Sequence, residues 1–189
     1  GWPLATRFDE DSIRALKHAM EQADEIGPTH PLSKKYTQER IKGNLNQAYD
    51  ILRTILEMDP DNSAAREAKP ELERGILQRK SEAIQNALRQ SDVVKVVALI
   101  EEVESLSFFV PEHLECWPKA KACQVDLWLK EVSAHMKNED WQTSAHLLDK
   151  VQQAKEQIAG LTLDGRQENF IEKAGEWTGS QEADWLREE

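Results

Sequence analysis

A repeat of 48 residues limits how this chain can fold more than any other feature of the sequence. Asn44 to Leu52 lies without gaps over Asp92 to Ile100, and that stretch lies over Asp140 to Leu148. The three segments open on Asn44, Asp92 and Asp140, whose side chains can accept bonds from the free N–H groups at a helix start. Ile55, Val103 and Val151 share a column further on, and two more pairs, Glu67 with Glu115 and Pro70 with Pro118, keep the same spacing. Self-similarity at this period marks an array of small supersecondary units, none of which buries its apolar face alone.

Each unit reads as a helix, a tight turn, a second helix and a short connection. Pro70 fits the first helical position, where a missing N–H costs nothing, and Leu72, Ile76, Ala83, Ile84, Ala87 and Leu88 continue a helical stripe. Gln90 and Ser91 break the stripe, Asp92 caps the next helix, and Val96, Leu99, Ile100 and Val103 form its facing stripe. The pattern returns from Pro118 through Val125, Trp128, Leu129, Val132 and Met136, and then from Asp140 through Leu147, Leu148, Val151 and Ile158. Connections this short set successive helices antiparallel and in contact. No segment alternates apolar and polar residues for long enough to make a strand, so the expected class is all-α.

The ends read as caps. Ile13, Leu16, Met20 and Ala23 give a helix over about 10–26 that stops at Gly27-Pro28, followed by a linker to Pro31. After Gly160 a loop leads to a helix carrying Phe170, Ile171, Ala174 and Trp177, with a polar, acidic tail expected from Thr178. The expected organisation is therefore one helical-repeat domain over 1–189: a capping helix and linker over 1–31, hairpins over 32–163, and a capping helix with its tail over 164–189.

In the first unit Gly43, Ala48, Leu52, Ile55 and Pro60 fall at offsets of five, four, three and five residues, and Glu57 to Asn62 follows the second helix directly. This half-unit resembles the back half of a tetratricopeptide repeat, with its small residue, two packing positions and closing Asp-Pro turn. The front half departs from that pattern at Tyr36 and Glu39, and the 48-residue period exceeds the family's 34. The resemblance implies antiparallel helical hairpins stacked as a short right-handed superhelix. It also implies a non-catalytic scaffold that takes a peptide or helix from a protein partner, such as an adaptor, assembly factor or chaperone-like module.

Charge and chemistry narrow the function further. With 35 acids against 24 bases the net charge is -11, which repels nucleic acid and anionic membrane surfaces; no apolar run is long enough for a spanning helix. Two cysteines and no secretory leader favour a reducing, cytoplasmic setting, and the start at Gly1 reads as a processed or excised end. Cys116 and Cys123, seven apart, lie beyond disulfide reach if both are helical, and no CxxC or Cys/His cluster indicates zinc. His18, His30, His113, His135 and His146 form no HExxH pattern, and Glu131 with His135 reads as a solvated pair one turn apart. No phosphate loop or nucleophile elbow occurs. The expectation is no enzyme, no cofactor and no metal.

Candidate contact residues lie on the surface. Lys34, Lys35 and Arg40 concentrate positive charge, together with Lys42, on one short helix opposite a single acid, Glu39. Glu168, Glu172 and Glu176 recur every four residues near the other end. Phe108 and Phe109 occupy the most apolar connection, and Trp141 directly follows a cap; each is a candidate either for burial or for docking a partner. The competing readings are a self-associating helical bundle acting as a homo-oligomer, an enzyme of unrecognised type with a polar pocket around His135 or His146, and an acidic chaperone for a basic protein.

Overall fold

The structure, a computed structural model, describes residues 32–188, with side chains through 187. The helix expected over 10–26 and its linker lie outside the described residues. Those described form seven α-helices and one 3-10 turn, with no strand among them: α1 (Ser33–Lys42), α2 (Leu45–Met58), α3 (Ser63–Arg89), α4 (Val93–Glu104), the turn Pro111–His113, α5 (Trp117–Lys137), α6 (Trp141–Gln157) and α7 (Gly165–Glu188). The expectation of an all-α chain holds. The chain divides into two compact units, Gly1–Gln78 and Arg79–Glu189, with the division inside α3.

The 48-residue spacing returns in the backbone of three turns. Gly43, Ser91 and Glu139 all adopt the left-handed conformation, at φ 76°, 54° and 59°. Each next residue is an N-cap of nearly the same shape: Asn44 at φ -81°, ψ 69°; Asp92 at -85°, 81°; Asp140 at -87°, 81°. The N–H groups of Asn44, Asp92 and Asp140 donate to the carbonyls of Glu39, Ala87 and His135, at 2.8, 3.0 and 3.0 Å. Those of Gly43, Ser91 and Glu139 donate to Arg40, Leu88 and Met136. This pair of bonds is the Schellman closure, which satisfies carbonyls that a helix end otherwise leaves free. Asp92 and Asp140 then cap the following helix by accepting from the N–H of Lys95 and Thr143. Asn44 shares the backbone shape without that bond, because its amide donates to Glu39 instead, at 2.7 Å.

Burial follows the same register. Ala48, Val96 and Ser144 are buried, as are Ile51, Leu99 and Leu147, then Leu52, Ile100 and Leu148, and then Ile55, Val103 and Val151. On the preceding helices Tyr36, Ile84 and Val132 share a fully buried column, so Tyr36 fills the place of an aliphatic side chain.

Pro70 departs from its expected role. It lies inside α3 rather than at its start, because Asn62 already caps that helix by accepting from the Ala65 N–H at 2.9 Å. Ala64, Ala65 and Ala68 bury the added turns. Pro118, its counterpart, does sit in the first turn of α5, after the 3-10 turn has taken up the corresponding residues. The tail expected from Thr178 is likewise helix, for α7 runs on to Glu188. The Thr178 hydroxyl donates back to the Gly175 carbonyl, and Asp164 with Gln167 closes a reciprocal capping box at the other end.

In the first unit α1 packs on α2. The Arg40 guanidinium reaches Glu71 of α3 at 3.0 Å, and the Tyr49 hydroxyl donates to Glu73 at 3.0 Å. In the second, α4 packs on α5, α5 on α6, α6 on α7, and α5 also on α7. Val132, Leu147, Leu148 and Ala174 form one cluster there, with Trp128, Met136, Phe170 and Ile171 at its edge.

Candidate functional site

Four residues of α5 at helical spacing, Trp117, Lys121, Gln124 and Trp128, floor a cleft of about 310 Å³ in the second unit. One wall is α6, through Lys150, Gln153, Ala154 and Gln157, closed by Ile158. The other comes from the end of α4 and the loop after it, through Glu104, Phe109 and Pro111. The Phe109 ring tilts against Trp117, with centroids 4.6 Å apart and planes at 60°.

Lys121 is the unusual member, since a lysine only 7% exposed needs partners to offset its lost hydration. Its ammonium donates to Gln124 Oε1 at 2.7 Å and pairs with Glu104 Oε1 at 2.5 Å. It also stands 5.3 Å from the ring centre of Trp117 and 5.9 Å from that of Trp128, within cation–π range of both. Glu104 is half in water, so the pair is desolvated on the lysine side alone. Lys150, partly buried on the α6 wall, makes no side-chain ion pair or hydrogen bond among the described residues. The cleft thus joins aromatic walls to one satisfied charge pair and one unspent cation.

Of the surface candidates, Phe109 alone lines this cleft. Phe108 is half-buried beside it in sequence. Trp141, half-buried at the start of α6, stands 6.3 Å from Trp185 of α7, ring centre to ring centre. Lys34 and Lys35 are exposed on α1, but Arg40 is turned inward, its side chain 9% exposed in the pair with Glu71. Glu39, the acid beside them, is buried as well. Bonds from the Asn44 amide and then the Lys42 ammonium hold its carboxyl below the usual carboxylate range. Glu168 pairs with Lys155 at 2.7 Å, leaving Glu172 and Glu176 exposed.

His135 does not pair with Glu131. Its Nδ1 lies 3.0 Å from Asp140 Oδ2, across the turn. The Asp140 carboxyl is held low mainly by its bonds with Thr143, and less by His135. Cys116 and Cys123 are both free thiols. Burial pushes the Cys123 thiol up, and the neighbouring Asp126 adds to that. Cys116 is buried, its Sγ 3.5 Å from Ser81 Oγ. No group of three or more His, Cys, Asp and Glu converges to hold a metal ion among the described residues. No helix among them is long and apolar enough to cross a membrane.

In the sequence Trp128 reads as a core position, and Trp117, Lys121, Gln124 and Lys150 are not among the candidates. The usable signal was Lys121 standing at helical spacing from two tryptophans. Comparison with protein-family models, with curated proteins and with solved structures gives no match.

Proposed function

We propose that the chain is a non-catalytic protein–protein interaction scaffold. It is built of tetratricopeptide-like helical hairpins stacked as a short right-handed superhelix, and it receives a peptide or helix from a protein partner. The observation that carries this reading is the recurrence of one turn at Gly43–Asn44, Ser91–Asp92 and Glu139–Asp140, with the same bonds in each. Contact of α5 with both α6 and α7 supports it, since stacked hairpins bring first helices of successive units together. The cytoplasm, where thiols stay reduced, suits the unpaired Cys116 and Cys123.

A second reading has its own observation. Trp185 and Leu186 are large apolar residues left 43% and 60% exposed on α7, and a second copy covering them makes a self-associating bundle. Sedimentation velocity over a wide concentration range separates the two, because the scaffold reading expects a constant monomer. Affinity capture at low and high salt then supplies a partner, which is purified and titrated by calorimetry against the wild type and the Phe108→Ser, Phe109→Ser double variant. Saturable binding that the variant loses while keeping its helical circular dichroism supports a scaffold acting through this loop. Concentration-dependent assembly with no saturable foreign partner overturns the reading.

A further inference from the structure

We infer that the cleft between α5 and α6 is a binding site for a small aromatic carboxylate, a class of ligand separate from the protein partner proposed above. Its volume of about 310 Å³ stands at the lower edge of ordinary small-molecule sites, ~300–1,000 Å³, enough for a fused ring system. Shape alone does not make a site, and the distribution of charge supplies the rest. Glu104 and Lys121 neutralise each other, so the lining carries the unspent positive charge of Lys150. Gln157, exposed on the same face of α6 two turns further on, adds a side-chain amide to the lining. A ligand with a flat apolar body and one negative end matches Phe109 and Trp128 at one side, backed by the buried Trp117, and Lys150 at the other.

The sign of the ligand follows from which groups are already engaged. An ammonium ligand competes with Lys121 for both indoles and for Glu104, all of which that lysine holds. A carboxylate finds a donor waiting at Lys150, and a charge-assisted bond there is stronger than a neutral one. The fixed pair at the base argues in the same direction. A lysine this buried costs desolvation that simple packing avoids, yet it holds two tryptophans and an amide in set positions along the floor, as a preformed site requires.

The test uses the whole chain labelled with 15N and watches the indole N–H signals of its tryptophans. The probes are 1-naphthaleneacetate, its alcohol analogue 1-naphthaleneethanol, and 1-naphthalenemethylamine. The acid is expected to shift Trp117 and Trp128 saturably while Trp177 and Trp185 stay in place. The alcohol and the amine bind about tenfold more weakly or worse, the loss of one charged contact. Lys150→Ala, at a partly exposed position on α6, removes the preference for the acid and keeps the spectrum otherwise folded. Equal binding of acid and alcohol, a preference for the amine, or an unchanged preference in Lys150→Ala each overturns the assignment. So does a tenfold tighter fit at the same two signals for a short peptide carrying Trp beside Glu, which makes the cleft a peptide anchor instead.

Discussion

Replacing Lys121 by methionine and by alanine separates the charge of that side chain from its packing. Alanine removes three methylenes from a site that is almost fully buried, about 2–2.5 kcal/mol of transfer free energy at ~0.8 per methylene. The space left between Trp117 and Trp128 raises the total to about 2–4 kcal/mol. Methionine keeps a stem of similar length and loses the rest. It gives up a charged hydrogen bond to Gln124, ~1.5–3 kcal/mol, and two cation–π contacts at 5.3 and 5.9 Å, about 0.5–2 kcal/mol each. Against these stands the desolvation of the ammonium, several kcal/mol, which methionine does not incur. Glu104, half in water, is rehydrated when its partner goes. The two sides nearly cancel, so the Lys121→Met protein is expected within about 1.5 kcal/mol of wild type. Urea unfolding followed by tryptophan emission measures this for the second unit, because Trp117, Trp128, Trp141, Trp177 and Trp185 all lie in it. A methionine variant as unstable as the alanine variant refutes the reasoning, for then the charge and not the stem holds the cleft together.

Three further outcomes are expected. Ser91→Gly and Glu139→Gly, at the left-handed positions that Gly43 fills in the first turn, should each stabilise by about 0.5–1 kcal/mol. Relief of left-handed strain exceeds the added freedom of the unfolded chain, and a loss in thermal unfolding at either site contradicts this. The carboxyls of Glu39 and Asp140 are held below their ordinary values of 4.5 and 3.8, so folding favours their ionised forms. Their contribution is complete above those values and is lost as pH falls through the lower folded ones. The Glu39→Gln, Asp140→Asn double variant should therefore show a shallower fall in melting temperature below pH 4.5 than the wild type, and an equal fall is the contrary result. Tyr36→Phe removes a buried hydroxyl that makes no hydrogen bond of good geometry among the described residues, with the Arg40 guanidinium beside it, and should leave stability unchanged or raise it, whereas a loss above about 1 kcal/mol in urea unfolding means the hydroxyl is bonded to Arg40.

The acid side of this behaviour shows how differently two halves of one motif read in sequence. Asp140 was visible as a cap because a helix start needs an acceptor at a fixed offset. Its second partner, His135, was assigned to Glu131 by helical spacing alone, and the turn brought it to Asp140 instead. Arg40 followed the same course: basic neighbours on a short helix read as a surface patch, while its guanidinium spends its charge on Glu71, 31 residues away.

What the sequence determined by itself was therefore everything that depends on short spacings. The helical class, the three closures at Asn44, Asp92 and Asp140, and the buried columns through Leu52, Ile100 and Leu148 rest on bonds and periodicities a few residues long. These act on the chain before any distant contact forms. The tertiary structure alone decided that Pro70 continues a helix whose cap at Asn62 and buried alanines support it. It alone decided that Phe109, Lys121 and Lys150, from a loop and two helices, enclose one cleft. Those choices depend on which side chains meet across elements and on what each burial costs, and no spacing along the chain encodes that balance.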